Sequence, residues 1–207
     1  MIDAAVNEGG TNVRSDRRLA WWLLVGGLIG LVAAGTLLVE KIALLKDSNY
    51  VPSCSMNPVL NCGSIMKTDQ AEIFGFPNPL LGIAGFAVVA TTGAAVLAGG
   101  RLARWYWLGL QAGTVFGVVF VAWLVFQSLY RIGALCPYCM VVWAVVIPTF
   151  WYVTIRNLHA GAFGERAQRS AASRALRSWH APPLLAVALL LVVLIGEQFW
   201  SYWSTLL

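Results

Sequence analysis

Charged residues are scarce in this sequence, at 11% of 207 residues against 59% hydrophobic. A soluble domain usually carries about 25% charged residues, so there are too few here to coat a water-facing surface. Cysteine is sparse too, with four in the whole chain, which excludes a small disulfide scaffold. The hydrophobic excess also excludes a disordered chain, and the composition is not that of collagen. What is abundant is long apolar sequence. The hydrocarbon core of a bilayer is about 30 Å thick and takes about 20 helical residues to cross. The sequence therefore predicts one polytopic membrane domain with short loops.

Five apolar segments are expected to span: 19–39, 79–99, 105–130, 136–155 and 184–203. Each is apolar on all faces, as a spanning helix must be when its backbone can bond only to itself. The first follows a polar N-terminus and has no A-x-A cleavage site, so a retained anchor is expected and not a removed signal peptide. The predicted architecture is all-α: a four-helix membrane bundle plus a fifth transmembrane helix. It divides into an N-terminal tail (1–18), a core (19–155) with a long loop (40–78), a basic loop (156–182) and the fifth helix (183–207). Trp21, Trp22, Trp105, Trp107, Trp179, Trp200 and Trp203 fall at segment ends, where interfacial aromatics are expected. The Gly26-x-x-x-Gly30 and Gly109-x-x-x-Gly113-x-x-x-Gly117 spacings predict close helix packing. Glu197 is the one acid inside a predicted span, and its place near Trp203 suits a snorkelling interfacial residue.

Lysine and arginine set the expected orientation. With the N-terminus cytoplasmic, Arg14, Arg17, Arg18, Arg101, Arg104, Arg156, Arg166, Arg169, Arg174 and Arg177 lie inside, and Lys41, Lys46, Lys67 and Arg131 outside. That bias follows the positive-inside rule. It also accounts for the net charge of +5 as a topology signal, with no nucleic-acid footprint required.

The loop at 40–78 is far longer than an ordinary helix connection, and such loops are usually functional or disordered. It holds Cys54, Cys62, a short stretch from Ser64 to Phe74 able to turn helically, and an apolar flank of Ile73, Phe74 and Phe76. An ordered cap lying along the membrane surface is expected. The other two cysteines form Cys136-Pro137-Tyr138-Cys139 at the start of the fourth span. Pro137 takes the favoured first helical position. Cys139 falls in the first turn, where free N–H groups and the helix dipole favour an anion. A C-x-x-C in this setting has a lowered thiol pKa and suits a disulfide that is made and broken. Two spans separate the loop from the C-x-x-C, so all four sulfurs share one face, the outer one, where disulfides persist. Three readings stay open on residues alone: two structural disulfides, a four-cysteine zinc site, or a relay passing two electrons between cysteine pairs.

The Cys54 to Cys62 run, the stretch from Ala71 through Phe74-Gly75-Phe76-Pro77-Asn78-Pro79 to Gly82, and Cys136-Pro137-Tyr138-Cys139 together resemble bacterial homologues of vitamin K epoxide reductase over roughly 19–155. The resemblance implies a quinone-dependent thiol-disulfide oxidoreductase of the bacterial inner (cytoplasmic) membrane with its active site on the extracytoplasmic side. It implies menaquinone or ubiquinone as electron acceptor and no metal. The thioredoxin-like domain fused to some members is not found here, so a separate thioredoxin-fold thiol oxidoreductase of the DsbA type is the expected partner. Cys54 and Cys62 would be the shuttle pair, with the partner attacking Cys62 and Cys54 attacking Cys136; Cys139 would face the quinone. Asn78 aligns with an asparagine that bonds a quinone oxygen. Trp143 stands where animal members carry a tyrosine, which removes a hydroxyl. Phe86 and Phe126 are candidate wall residues of the quinone pocket. The alternative is a membrane scaffold with structural disulfides or a metal, and no turnover.

Overall fold

The computed structural model describes residues 2–164 and 181–204, with side chains described from residue 16 onward. The helices are α1 (Ile2–Lys46), the short α2 (Cys62–Met66), α3 (Pro79–Leu97), α4 (Arg104–Phe126), α5 (Pro137–His159), α6 (Ala181–Gln198) and the single turn α7 (Trp200–Trp203). A 3-10 turn covers Asp69–Glu72, and a π-helical segment, Gln127–Ile132, continues α4. Five stretches are long and apolar enough to cross a membrane: Asp16–Lys46, Pro79–Leu97, Arg104–Ile132, Pro137–His159 and Ala181–Gln198. The chain is an all-α, multi-pass membrane protein. Arg166, Arg169, Arg174, Arg177 and Trp179 lie outside the described residues.

The first span runs farther than hydropathy suggests. The long loop was expected to begin at 40, but α1 continues to Lys46. Glu40 and Lys41 stop an apolar run without stopping a helix, because both charges are met from the loop. Glu40 accepts hydrogen bonds from the Tyr50 hydroxyl (2.8 Å) and from the Ser53 hydroxyl and N–H. Lys41 Nζ donates to Met66 O (2.6 Å) and pairs with Glu72 Oε1 (2.8 Å). Buried charges persist where they are paired and hydrogen-bonded in this way.

Packing order differs from chain order. α1 lies along both α3 and α5, and α4 lies along α5; α3 and α4, consecutive in sequence, share no comparable seam. The α1–α3 seam is tight because it is built on glycine. A Cβ at Gly27 would sit 2.6 Å from the Ala90 nitrogen, and one at Gly30 would sit 2.5 Å from the Phe86 ring. Gly93 likewise lies against the Ala20 and Leu24 backbone. The close packing expected of the Gly26/Gly30 pair is thus present at Gly30 and at the neighbouring Gly27, while a Cβ at Gly26 itself would meet only the Val145 side chain, at 3.4 Å, beyond its own helix. That expected of the α4 glycines is not present. Gly109 and Gly113 have nothing within 4 Å of a Cβ, and Gly117 meets only Val146.

At the end away from the cysteines, polar side chains stitch α4 to α5. Asn157 is fully buried and donates to Trp107 O (3.1 Å) and Gln111 Oε1 (3.2 Å). Gln111 Nε2 donates to Thr154 Oγ1 (2.9 Å), and the Arg156 guanidinium lies 3.7 Å from the centre of the Trp107 ring. Trp107 is therefore a core residue, at 4% exposure, and not the interfacial one its position suggested. Trp105 and Trp200 are exposed, as interfacial residues would be. Glu197 is exposed too, as a snorkelling residue would be.

Candidate active site

The loop is an ordered cap, and its order comes from small polar contacts. Asn57 Oδ1 accepts from the N–H groups of Val59 and Leu60, turning the chain after Cys54. Asn61 is the N-cap of α2, its side chain accepting from Ser64 N (3.0 Å), which meets one of the free N–H groups of that helix start. Cys62 is the first residue of α2. Phe74 reaches α4, its ring centre 5.9 Å from that of Phe120 and 6.4 Å from that of Phe116. The apolar flank expected on the membrane surface is exposed at Ile73, Phe74 and Phe76.

The second pair is positioned by the turn that ends α4. Gly133 has φ +69°, a left-handed conformation that costs little only for glycine. The Gly133 N–H donates to Ser128 O (3.0 Å), and the Ser128 hydroxyl donates to Ala134 O. Leu135 then pairs with the cap as an isolated parallel bridge to Leu60: its N–H donates to Val59 O (2.7 Å), and its carbonyl accepts from Asn61 N (2.8 Å). Cys136 is the N-cap of α5 in extended conformation, Pro137 is its first residue, and Cys139 lies in the first turn.

Each half of the bridge is thus followed by a cysteine, and the sulfurs meet. Cys54 and Cys62 are disulfide-bonded, with Cα atoms 5.6 Å apart, while Cys136 and Cys139 are free thiols. Cys62 Sγ lies 3.0 Å from Cys136 Sγ, and the sulfurs of Cys54, Cys62 and Cys136 all fall within 4.8 Å of one another. The resemblance assigns exchange with Cys136 to Cys54, yet the nearest approach belongs to Cys62. The three are buried, at 5%, 0% and 1% exposure. The Cys139 thiol, bonding to Cys136, pulls the Cys136 thiol below its ordinary range; the N–H groups of Cys139 and Tyr138 add to this, and burial opposes it. The sulfur favoured as thiolate is the one facing the disulfide.

Three clustered sulfurs also have the look of a metal site. In this oxidation state two of them are bonded to each other, so they offer no thiolate ligands.

Directly beneath the sulfurs lies a cavity of about 530 Å³ between α1, α3, α4 and α5. Its lining is overwhelmingly apolar and includes Cys62, Cys136 and Cys139 at one end. Three of the four residues assigned to a quinone pocket are there: Asn78, Phe86 and Trp143. Phe126 is not. It is 49% exposed and packs beside Tyr130 on the outside of α4. Phe116 and Phe120 line the cavity in its place. Phe126 is two residues from Leu124, which lines the cavity, and two residues on an α-helix are about 200° apart. The Asn78 amide donates to Gln70 O (2.7 Å), while its Oδ1 is buried without a hydrogen-bond partner among the described residues.

Lys41, Gln127 and Ser128 also line this space and were not read as site residues in the sequence. Lys41 counts in the sequence only as one of the outside charges. Gln127 and Ser128 carry no motif, although a π-helical segment often marks a functional site.

An all-helical membrane bundle with two cysteine pairs meeting at one end of an apolar cavity defines a membrane thiol oxidoreductase. The sequence profile of the vitamin K epoxide reductase family matches residues 21–154, and the chain belongs to that family. A comparison with curated proteins returns no match.

Proposed function

We propose that this protein oxidises a separate thioredoxin-fold dithiol protein and passes the two electrons to a quinone from the bilayer. The observation that carries this is the 3.0 Å approach of Cys62 to Cys136 at the head of a cavity that Cys136 and Cys139 both line.

The steps are thiolate attacks on disulfides. A partner thiolate attacks Cys54, the less buried of the loop pair, and releases Cys62 as thiolate. The partner's second thiol resolves that mixed disulfide, leaving the partner oxidised and the loop pair reduced. Cys62 then attacks Cys136 of a Cys136–Cys139 disulfide, and Cys139 leaves. Cys54 attacks Cys62, restoring the loop disulfide and freeing Cys136. The pair is now a dithiol beneath an oxidised cap, the arrangement of bonds described above. Cys136 and Cys139 re-form their disulfide as two electrons and two protons pass to the quinone, which leaves as quinol. This order makes Cys62 the inner and Cys54 the outer sulfur, the reverse of the family assignment.

The cavity suits a quinone ring. It is apolar with few polar groups, as small-molecule sites usually are. Asn78 supplies an unused acceptor for a quinol hydroxyl, and its amide has a second N–H for a quinone carbonyl. Between α3 and α4 the lining residues Gly85, Val88, Gly109, Gly113 and Phe116 are exposed, a lateral opening through which an isoprenoid tail could pass into lipid.

The quinone could be menaquinone or ubiquinone. We place the sulfurs on the extracytoplasmic side of a bacterial inner membrane, following the lysine and arginine bias. Purified protein mixed with a reduced thioredoxin-fold protein and a soluble quinone should reduce the quinone, followed by its absorbance, and Cys139→Ala should abolish turnover. No quinone reduction by the parent chain, or equal rates with and without Cys139, would overturn the proposal. In a chain with the four cysteines replaced, the thiol of Met56→Cys, at an exposed loop residue, should be labelled by a membrane-impermeant thiol reagent on intact cells; protection until the membrane is opened would reverse the orientation.

A further inference from the structure

The fifth span has no part in the chemistry above, and the described residues of α6 are not buried. Its end is different. Among the described residues from 181 onward, Phe199 alone is buried, at 6% exposure, at the break between α6 and α7. It belongs to one cluster with Val59, Leu129, Leu135 and Trp143, against which Leu60, Cys139, Tyr202 and Trp203 also pack. Val59 and Leu135 are the residues joined by the 2.7 Å hydrogen bond of the cap bridge. One more hydrogen bond, from Asn61 to Leu135, completes that bridge; the next residue on each strand is Cys62 or Cys136.

We infer that the fifth helix is a brace and that Phe199 is a positioning residue for disulfide exchange. Its ring is buried in the same apolar cluster as the two bridge residues, and through that cluster it would fix the register that brings Cys62 to Cys136. Two hydrogen bonds in an isolated bridge hold register weakly on their own, since the net contribution of each is small. An aromatic side chain packed behind them adds the stiffness that exchange needs, because displacement by about 1 Å from attack geometry can cost on the order of a hundredfold in rate. Phe199 would act at a distance from the reacting bonds, through the cluster it shares with Val59 and Leu135. This inference rests on the exchange between pairs proposed above.

The test needs neither quinone nor partner. In the full chain carrying Cys54→Ser, the Cys62 thiolate can attack Cys136 of the Cys136–Cys139 disulfide. A Cys62–Cys136 bond forms, the 136–139 bond breaks, and Cys139 leaves as thiolate, with no net oxidation. The ratio of the two disulfides at equilibrium in glutathione buffer, read by peptide mass mapping, reports how well the bridge presents Cys62. Phe199→Ala should lower the Cys62–Cys136 share relative to Cys136–Cys139 about tenfold. Phe199→Leu should restore part of it, and Trp200→Ala, on an exposed neighbour, should leave it unchanged. General destabilisation would also lower this ratio, because the 136–139 ring is local to one helix turn and the Cys62–Cys136 bond depends on the fold. The melting temperature of each variant is therefore measured beside it: a fall in the ratio at an unchanged melting temperature supports the brace, and a fall only in proportion to lost stability overturns it. A ratio within about twofold of the parent in Phe199→Ala, or an equal fall in Trp200→Ala, overturns the inference. If the alanine variant does not accumulate, Phe199→Leu decides: an intermediate ratio supports the brace and an unchanged one removes it. Failure of the quinone reading would show separately, as absence of quinone reduction by the parent chain.

Discussion

Two sets of helix glycines in this protein do opposite things. Along the α1–α3 seam, Gly27, Gly30 and Gly93 let two backbones touch, and a single added carbon would collide with main chain or with a ring. On α4, Gly109 and Gly113 have the same four-residue spacing as Gly26 and Gly30, yet a Cβ there would meet nothing within 4 Å. The first set excludes volume, and the second preserves it. A small-xxx-small pattern promises a smooth helix face; whether a helix or a ligand occupies that face is decided by the rest of the bundle. Here α5 takes the place beside α4 that α3 takes beside α1, and the α4 glycines are left facing a cavity.

The sharpest way to separate the two sets is to fill the second. Gly113→Phe places a ring at the wall of the cavity that Cys139 also lines. It should cut quinone-linked turnover on the order of a hundredfold, the scale expected when a substrate is held away from attack geometry. Its melting temperature in detergent should match the parent, and the Cys62–Cys136 exchange should continue. Loss of folding in this variant would mean that α4 does pack through Gly113. Next in size is Gly27→Ala in the seam. A carbon 2.6 Å from the Ala90 nitrogen forces α1 and α3 apart, and overpacking of this kind costs about 1–3 kcal/mol. The expected readout is a lower melting temperature, with the activity of the folded fraction retained.

Gly30→Ala tests the point where the sets communicate. The atoms nearest its added carbon belong to the Phe86 ring, 2.5 Å away, and Phe86 also lines the cavity. The ring borders the open space and can yield into it. The substitution should therefore raise the quinone KM severalfold while costing about 1 kcal/mol of stability, the low end of the overpacking range. A change in stability with an unaltered KM would show that Phe86 does not guard the cavity.

How much of this was legible beforehand depends on the kind of signal. Five spans and four cysteines on one face follow from apolar length and crossing parity, because a bilayer imposes its thickness on every helix. The helix start at Cys136-Pro137 was legible as well, since proline and its neighbours carry local backbone rules. The face of a helix was not. Phe126 and Phe120 are equivalent in a segment that is apolar all round, for lipid and cavity wall demand the same chemistry. The end of α1 was missed because Glu40 and Lys41 look like a terminus until Tyr50, Ser53, Met66 and Glu72 are seen to satisfy them. Phe199 was invisible for a related reason: its meaning lies in Val59 and Leu135, far away in the chain.

The smallest effect is the most pointed. At Gly109 an alanine adds one carbon into empty space on an exposed part of α4. Glycine in a helix interior is less favourable than alanine by about 0.8–1.0 kcal/mol in water, and nothing here opposes the gain. Gly109→Ala should leave turnover unchanged and raise the melting temperature slightly, the opposite sign from Gly27→Ala. Were the two alanine variants to destabilise alike, α3 would have to close onto α4 in the membrane. The lateral opening, and with it the route proposed for a quinone tail, would then be lost.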